Sequence, residues 1–187
     1  RKQLDDMSNS TSHQGYAAEV TRRENVCIEE MMEKANSKEK SLVVILDSIF
    51  DPQNVGSILR AAECFGVDGV IISKLKGCKI TPTVTKTSVG ASEIIPIAEV
   101  SSLASTIEKF KKEGFWVVAS EINEKAAPLN TFEFPEKTLL ILGSEGKGVG
   151  KNHLKNSDFH VYIPMFGRVD SLNVSQAAAV MFSFFNK

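Results

Sequence analysis

The 187-residue sequence has few cysteines, and they form no recognisable pattern. Cys27, Cys64 and Cys78 lie far apart and include no C-x-x-C pair. This spacing argues against a zinc site and against a disulfide framework, and it suits a reducing compartment. The three histidines are not spaced as metal ligands either. We therefore expect a protein that binds no metal.

Long apolar runs and a strong net charge are also absent. No stretch approaches the roughly 18 apolar residues of a membrane span, and no signal peptide opens the chain. The formal net charge is −1, so no overall positive field attracts nucleic acid, and composition shows no basic patch. The chain begins with Arg1 rather than Met, which favours a fragment of a longer protein. We expect a cytoplasmic protein without a membrane segment, with an organelle as the alternative.

Two common nucleotide-binding motifs are missing. The segment Gly146-Lys-Gly148-Val-Gly150 does not fit G-x-G-x-x-G, because the sixth position is Lys151. A P-loop requires Ser or Thr after its lysine, and here Gly148 follows Lys147. A nucleotide site of either type is therefore not expected.

Apolar strands alternating with helices make up most of the chain. Strands are predicted at 42–46, 69–72, 94–98, 115–119, 139–142 and 159–163, and helices at 25–35, 55–65, 82–89, 103–113, 151–154 and 174–185. Asn25 is the predicted cap of the first helix, and Trp116 is predicted in the core. Solidly apolar strands separated by helices indicate an α/β fold with a mostly parallel sheet covered on both faces.

The predicted helix at 174–185 is apolar nearly all round. A single core cannot face every direction, so we expect this helix to be buried on two sides. The second side would be covered by a partner subunit.

Three polar loops follow predicted strands. They read Asp51-Pro-Gln-Asn-Val-Gly-Ser-Ile-Leu-Arg60, Leu142-Gly-Ser-Glu-Gly-Lys-Gly148 and Ile163-Pro-Met-Phe-Gly-Arg-Val-Asp-Ser-Leu-Asn-Val-Ser175. Open α/β sheets bind their ligands at the carboxyl ends of the strands. The loops are therefore the predicted functional site.

Each polar residue in these loops also has a plain structural interpretation. Asn54 could cap its helix, and Arg60 could be a solvated charge, although an arginine on an otherwise apolar helix suits a phosphate. Glu145 could lie in a solvated turn or accept hydrogen bonds from a ligand. Ser171 and Asn173 are both capping residue types, but with Ser at 175 they exceed what one cap requires.

Together the three loops resemble the motifs of the SpoU/TrmH family of SPOUT-class RNA ribose 2′-O-methyltransferases. The resemblance covers residues 41–187 and rests on N-x-x-x-x-x-R, L-G-x-E-x-x-G and I-P-M-x-G-x-x-x-S-L-N-V-S, in that order. His13-Gln-Gly15 and Ser88-Val-Gly-Ala-Ser92 are similar to the branch that modifies guanosine in large-subunit ribosomal RNA.

The resemblance implies a fold, a cofactor and partners. The α/β sheet would carry a deep C-terminal trefoil knot, and a homodimer would form through the last helix. The methyl donor would be S-adenosyl-L-methionine, and the substrate an RNA, with ribosomal RNA favoured over transfer RNA. The donor would lie against Gly143, Ile163 and Leu172, with Met165 and Gly167 forming part of the wall.

The same resemblance assigns Asn54, Arg60, Glu145, Ser171 and Asn173 to catalysis and RNA contact. Arg60 would hold a phosphate rather than act as a base, because a guanidinium pKa exceeds about 12. Residues 1–40 would be a linker and short helix trailing an upstream RNA-binding domain, and residues 41–187 the methyltransferase domain. Two alternatives remain: a transfer-RNA ribose methyltransferase, and a catalytically silent RNA-binding module of the same fold.

Overall fold

A computed structural model describes residues 2–8, 15, 21 and 23–187. The strands are β1 Ser41–Asp47, β2 Gly69–Ser73, β3 Ile97–Val100, β4 Trp116–Ser120, β5 Ala127–Pro128, β6 Lys137–Gly143 and β7 Phe159–Tyr162. The helices are α1 Lys2–Ser8, α2 Ile28–Asn36, α3 Pro52–Cys64, α4 Pro82–Thr87, α5 Leu103–Lys112, α6 Lys151–Lys155 and α7 Val174–Phe185. His13 and Gln14, on which part of the guanosine-branch resemblance depends, lie outside the described residues.

The seven strands form one sheet in the order β3-β2-β1-β6-β4-β7-β5, and every described pairing is parallel. Alternate residues of β1 point to opposite faces. Leu42 and Val44 join a core cluster with α3 and α7, whereas Val43 and Ile45 join a second cluster with α2 and α5. The predicted α/β architecture, with a parallel sheet covered on both faces, is confirmed.

The start of α3 differs from the prediction in a way that matters for the site. Asp51, not Asn54, is the N-cap, and its carboxylate accepts hydrogen bonds from the N–H groups of Gln53 and Asn54. Pro52 occupies the first turn, where its missing N–H costs nothing. The side chain of Asn54 is therefore not used as a cap and is available for other contacts.

Two element boundaries were also predicted wrongly. The helix predicted at 25–35 begins at Ile28, with Cys27 rather than Asn25 at its N-cap. The strand predicted at 94–98 begins at Ile97, because Gly90 has a positive φ of 85° and a short 3₁₀ turn follows it. The first error arises because Cys27 is extended and Val26 N–H donates to the carbonyl of Ile97, and the second comes from turn geometry that apolar periodicity does not report.

The core assignment of Trp116 was wrong. Its side chain is 50% exposed, because it is the first residue of β4 and lies at the rim of the sheet. The indole packs against the ring of Phe159, with ring centroids 5.5 Å apart. Periodicity places a residue on a face of a strand but does not report how close the strand end lies to solvent.

Residues before the sheet also contribute to the core. Met31 and Ala35 of α2 are buried, and Val26 N–H donates to the carbonyl of Ile97. Residue 41 therefore marks the start of the sheet rather than the start of packing. No helix in the described part of the chain is long and apolar enough to span a membrane.

Candidate functional site

A cleft of about 280 Å³ opens at the carboxyl ends of β4, β6 and β7. The loop after β6 forms one wall and α7 forms the floor. The lining residues include Glu121, Gly143, Ser144, Glu145, Gly148, Tyr162, Ile163, Met165, Asp170, Ser171, Leu172 and Met181. Two of the three loops predicted as the site therefore meet in one cleft, as expected for the carboxyl edge of a parallel sheet.

The loop after β6 folds back on its own strand. A Cβ atom on Gly143 would lie 2.1 Å from the carbonyl carbon of Gly148 and 2.3 Å from Val149 N, so only glycine fits there. Gly148 has a φ of +64°, and its N–H donates to the carbonyl of Ser144 at 2.9 Å. The close return of the backbone creates the narrow wall of the cleft.

Two carboxylates anchor the far end of this loop. Asp47, the last residue of β1, accepts hydrogen bonds from Gly150 N–H at 2.8 Å and from His153 Nδ1 at 2.7 Å. Glu121 Oε2 accepts from Val149 N–H at 3.0 Å. Burial by itself would raise the pKa of Asp47, but the hydrogen bonds from His153 and Gly150 outweigh it and hold the pKa below its usual value.

The lowered pKa of Asp47 predicts a pH dependence of stability. A carboxylate whose folded pKa lies below its unfolded value stabilises the protein above the unfolded value of about 4, and this contribution is lost as the pH falls through the folded pKa. We expect Asp47→Asn to lower the unfolding free energy at neutral pH by about 1–3 kcal/mol. The difference from wild type should shrink as the pH falls below about 4. Urea unfolding at neutral pH and at a pH below about 4 measures this difference in unfolding free energy. A difference that does not change with pH would contradict the assignment.

A cluster of three polar side chains borders the cleft. Glu145 Oε1 accepts hydrogen bonds from Asn54 Nδ2 at 3.2 Å and from Asn173 Nδ2 at 2.6 Å. Asn173 Nδ2 also donates to Asn54 Oδ1 at 2.9 Å. Asn173 is the N-cap of α7, and its Oδ1 accepts from Ser175 N–H at 2.9 Å. These three residues come from all three predicted loops, and hydrogen bonds join them directly.

Not all of the other predicted site residues line the cleft. Ile163, Met165 and Leu172 line the cleft. Ser171 also lines it, but its hydroxyl donates to Asp170 Oδ1 rather than to the polar cluster. Gly167 is exposed and is not among the lining residues.

Arg60 is separated from the polar cluster. It lies one helical turn beyond Gly56, whose Cα packs against Thr87 of α4, and so it lies on the α4 side of α3. Its side chain is exposed and forms no hydrogen bond or ion pair with any residue in the described part of the chain. A single chain therefore brings Asn54 and its two partners together but leaves Arg60 outside.

Sequence reasoning missed the residues that support the loop. Asp47, Glu121 and His153 hold its backbone in place but lie outside the three motifs. The sequence did contain a signal for two of these residues, because Asp47 and Glu121 are carboxylates at the ends of apolar strands. Nothing in the local pattern around His153 indicated its contact.

The chemistry of the cleft suits a cationic ligand with an apolar body. Ile163, Met165 and Leu172 supply apolar surface, whereas Glu121 and Asp170 supply carboxylates, and no lysine or arginine is among the lining residues. S-adenosylmethionine, which carries a sulfonium and an ammonium group beside a flat adenine ring, fits this combination. Fold and cleft together define an α/β protein with a site suited to a nucleoside-like ligand at the carboxyl edge of its sheet.

Comparison with known proteins identifies the family. The model of the SpoU rRNA Methylase family matches residues 41–183. The chain belongs to this SpoU/TrmH family of RNA methyltransferases, which use S-adenosylmethionine as methyl donor. The family assignment expected from the three loops is confirmed.

Several relatives share most of the chain. A protein of Staphylococcus aureus, whose name assigns it to the TrmH family of tRNA/rRNA methyltransferases, is 41% identical over 97% of this chain and 73% of its own length. The SpoU methyltransferase AviRb of Streptomyces viridochromogenes, solved with AdoMet, is 26% identical over 82% of this chain, with a TM-score of 0.73.

A second solved structure matches almost the whole chain in fold. The AdoMet-bound rRNA methyltransferase of Sinorhizobium meliloti has a TM-score of 0.81 and 21% identity over 99% of this chain and 69% of its own, which supports the fold alone. This chain spans 62% of the length of the Streptomyces structure.

Proposed function

We propose that the protein transfers a methyl group from S-adenosylmethionine to a ribose 2′-hydroxyl in RNA, with a guanosine of large-subunit ribosomal RNA as the favoured target. The hydrogen-bonded cluster of Asn54, Glu145 and Asn173 beside the cleft carries the proposal. The segment Ser88-Val-Gly-Ala-Ser92 favours the guanosine branch. The name of the Staphylococcus relative covers both transfer and ribosomal RNA, so transfer RNA is the second candidate substrate.

The cleft would hold the donor next to the polar cluster. Gly143, Ile163 and Leu172 would contact it, with Met165 closing one side. When bound, the donor supplies an electrophilic methyl carbon. The protein's task is then to place the ribose oxygen at about 3–3.5 Å from that carbon, and such positioning lowers a barrier by roughly 7–11 kcal/mol.

Glu145 is the proposed contact for the reacting hydroxyl. Asn54 and Asn173 donate to its Oε1, whereas Oε2 accepts no hydrogen bond from the described residues. The two amides therefore hold the carboxylate in one orientation and leave one oxygen for the substrate. Oε2 would orient the 2′-hydroxyl or accept its proton, and Ser171 at the rim would contact the ribose or phosphate.

Arg60 would contact an RNA phosphate beside the reacting ribose. Within one chain it does not reach the polar cluster, so this role requires RNA that extends over α3 or a second subunit that supplies the guanidinium. We expect Arg60→Ala to lower methyl transfer at least about 100-fold by loss of positioning while donor binding is retained. Methyl incorporation into RNA and calorimetry with S-adenosylmethionine measure the two effects. Near-normal turnover would contradict the assignment.

A mixing experiment separates the two ways in which Arg60 would act. Arg60→Ala and Glu145→Ala subunits are each expected to be at least about 100-fold less active. If Arg60 acts across a dimer, their mixture regains activity, because one site in each mixed dimer combines an intact Glu145 with the partner's intact Arg60. If Arg60 acts on its own cleft, the mixture stays at that low activity.

A homodimer through α7 is part of the proposal. Val174, Ala178 and Met181 of α7 are buried in the core, whereas Ala179, Val180 and Phe184 are only half-buried. Burial of those apolar side chains against a second copy of the chain would favour dimer formation. We expect size-exclusion chromatography with light scattering to give about twice the chain mass of 20.5 kDa, and a monomer at micromolar concentration would contradict this.

A deep C-terminal trefoil knot and a methyltransferase domain over residues 41–187 are also part of the proposal. The end of α7 contacts two remote segments: Phe185 packs on Phe134, with centroids 5.8 Å apart, and Asn186 Nδ2 donates to the carbonyl of Phe65 at 2.7 Å. These contacts support a C-terminal segment that returns deep into the fold. An upstream RNA-binding domain preceding residues 1–40 would supply further selection of the target.

The target is tested by mapping ribose methylation. Mass spectrometry of ribosomal and transfer RNA, from cells with and without the gene, should show one 2′-O-methyl site lost from ribosomal RNA. Loss from transfer RNA alone would favour the second candidate, and no loss from either would contradict the proposed activity.

A further inference from the structure

The segment after β2 has an unusual charge distribution. Residues 69–92 contain four lysines and no aspartate or glutamate, although the whole chain has a net charge of −1. Lys74, Lys76 and Lys79 lie in the loop after β2, and Lys86 lies in α4. We call these four residues the lysine strip. Overall composition conceals this local excess because acidic residues elsewhere cancel it.

The charges of the lysine strip are uncompensated. All four side chains belong to exposed residues, and none forms an ion pair with a residue in the described ranges. The lysines that form ion pairs in those ranges are Lys38, Lys109 and Lys111. Four exposed cations without nearby partners produce a local positive potential that a polyanion would neutralise.

The loop that carries the strip has a defined shape. Ser73 Oγ accepts hydrogen bonds from the N–H groups of Leu75 and Lys76 at 3.3 and 3.0 Å. Lys74 N–H donates to the carbonyl of Val100 at 2.9 Å. Leu75, which is 80% exposed, lies between Lys74 and Lys76 in the sequence. The loop therefore presents its lysines and one apolar side chain from an ordered backbone.

Backbone contacts join the strip to the site. Cys78 N–H donates to the carbonyl of Ile49 at 3.0 Å, and Ile49 lies two residues before the N-cap Asp51 of α3. The first turn of α3 then presents Asn54 to the polar cluster. Asp51 is an acidic group next to these contacts, and its carboxylate accepts the two hydrogen bonds that cap α3. The strip thus lies at the carboxyl edge of the sheet, as the cleft does.

Arg60 extends the same positive surface. Thr87 and Val84 of α4 pack so closely on α3 that a Cβ on Gly56 would lie 2.6 Å from Thr87 Cβ. Arg60 lies one turn beyond Gly56 and therefore on the side of α3 that packs against α4, the helix that carries Lys86. The exposed guanidinium that is missing from the polar cluster belongs instead to the side of the molecule that carries the strip.

From these observations we infer that the lysine strip binds the phosphate backbone of the RNA substrate on one side of the reacting nucleotide. The inference rests on the proposed function, because that function supplies the polyanion. Phosphates are recognised by exposed lysines without regard to base sequence. RNA entering the cleft would follow the loop after β2, with Leu75 against a base or ribose and Arg60 on a phosphate nearest α3.

The test compares two triple variants with equal changes in charge. Lys74→Gln/Lys76→Gln/Lys79→Gln removes most of the strip. Lys34→Gln/Lys112→Gln/Lys155→Gln removes three exposed lysines from α2, α5 and α6, on the opposite face of the sheet. Binding of a labelled single-stranded RNA of mixed sequence, and of a hairpin, is measured by anisotropy over a series of salt concentrations.

The strip variant should bind RNA on the order of 10–100-fold more weakly, and its plot of log affinity against log salt should lose about 0.7–0.9 in slope per lost phosphate contact. The control variant should match wild type in slope. Both should bind S-adenosylmethionine like wild type in calorimetry, since neither triple touches the cleft. Equal losses in both variants would overturn the inference, as would competition by polyglutamate as effective as that by RNA.

Failure of the inference and failure of the proposed function give different results. If wild type methylates no RNA but the two variants still differ in salt slope, the activity is wrong and the strip is an RNA-binding surface. If wild type methylates RNA and the strip variant binds it with an unchanged slope, the activity stands and the strip is not its RNA contact.

Discussion

Replacing Gly143 with alanine is expected to abolish donor binding. The added Cβ would overlap the backbone of Gly148 and Val149 at 2.1–2.3 Å, and backbone atoms in a closed loop cannot move aside as a flexible side chain can. The loop would have to open at the point where it forms the wall of the cleft. We expect donor affinity to fall at least about 100-fold, which corresponds to roughly 2.7 kcal/mol. The free energy of unfolding should fall by about 1–3 kcal/mol, as in overpacked cores.

Gly146→Ala is the matched control for this prediction. Gly146 lies in the same loop and has a φ of +77°, but an added Cβ there meets no atom within 4 Å. It should lose about 1 kcal/mol of stability from backbone strain and keep most of its donor affinity. Calorimetry with S-adenosylmethionine and thermal unfolding of both variants measure the contrast. Similar donor affinities in the two variants would contradict the role given to the close backbone return.

The second large effect is expected at Glu145. Glu145→Ala removes the acceptor shared by Asn54 and Asn173, together with the free carboxylate oxygen that faces the proposed ribose site. General acid–base groups contribute about 10²–10⁴-fold to rate, so we expect methyl transfer to fall within that range. Donor binding should change only a few-fold, because the donor contacts assigned to Gly143 and Leu172 remain.

Glu145→Gln separates charge from geometry. The amide oxygen of glutamine can still accept from Asn54 and Asn173, but the group is no longer an anion that can take a proton. If Glu145 accepts the proton, both variants lose rate alike. If it only orients the ribose, glutamine restores much of the rate that alanine loses. Turnover on the mapped RNA is the measurement, and full activity in both variants would remove Glu145 from the mechanism.

Much of the fold could be predicted because its signals are local. Continuous apolar runs such as 42–46 and 139–142 indicated buried parallel strands, and the structure contains β1 and β6 there. Apolar spacing placed Val55, Ile58, Leu59 and Ala62 on the buried face of α3. The prediction that Trp116 lies in the core failed because the exposure of a residue at a strand end depends on what covers the rim of the sheet. No short sequence window contains that information.

The candidate site was only partly predictable. The three motifs identified Asn54, Glu145 and Asn173, but the pattern did not indicate that Asp51 would do the capping and free Asn54 for Glu145. The pattern also gave no reason to separate Arg60 from that cluster. Asp47 was missed as a loop anchor because its partners, Gly150 and His153, lie more than 100 residues away in the chain.

The order of residues alone determined the alternation of strands and helices, the glycines that the loop after β6 requires, and the membership of a methyltransferase family. These features depend on interactions between residues near each other in the chain, or on motifs that can be recognised directly in the sequence. The tertiary structure decided which polar atoms meet, which face of α3 carries Arg60, and where the lysine strip lies relative to the cleft. Those outcomes depend on strand order and on how closely α3, α4 and α7 pack, which are set by contacts between distant segments.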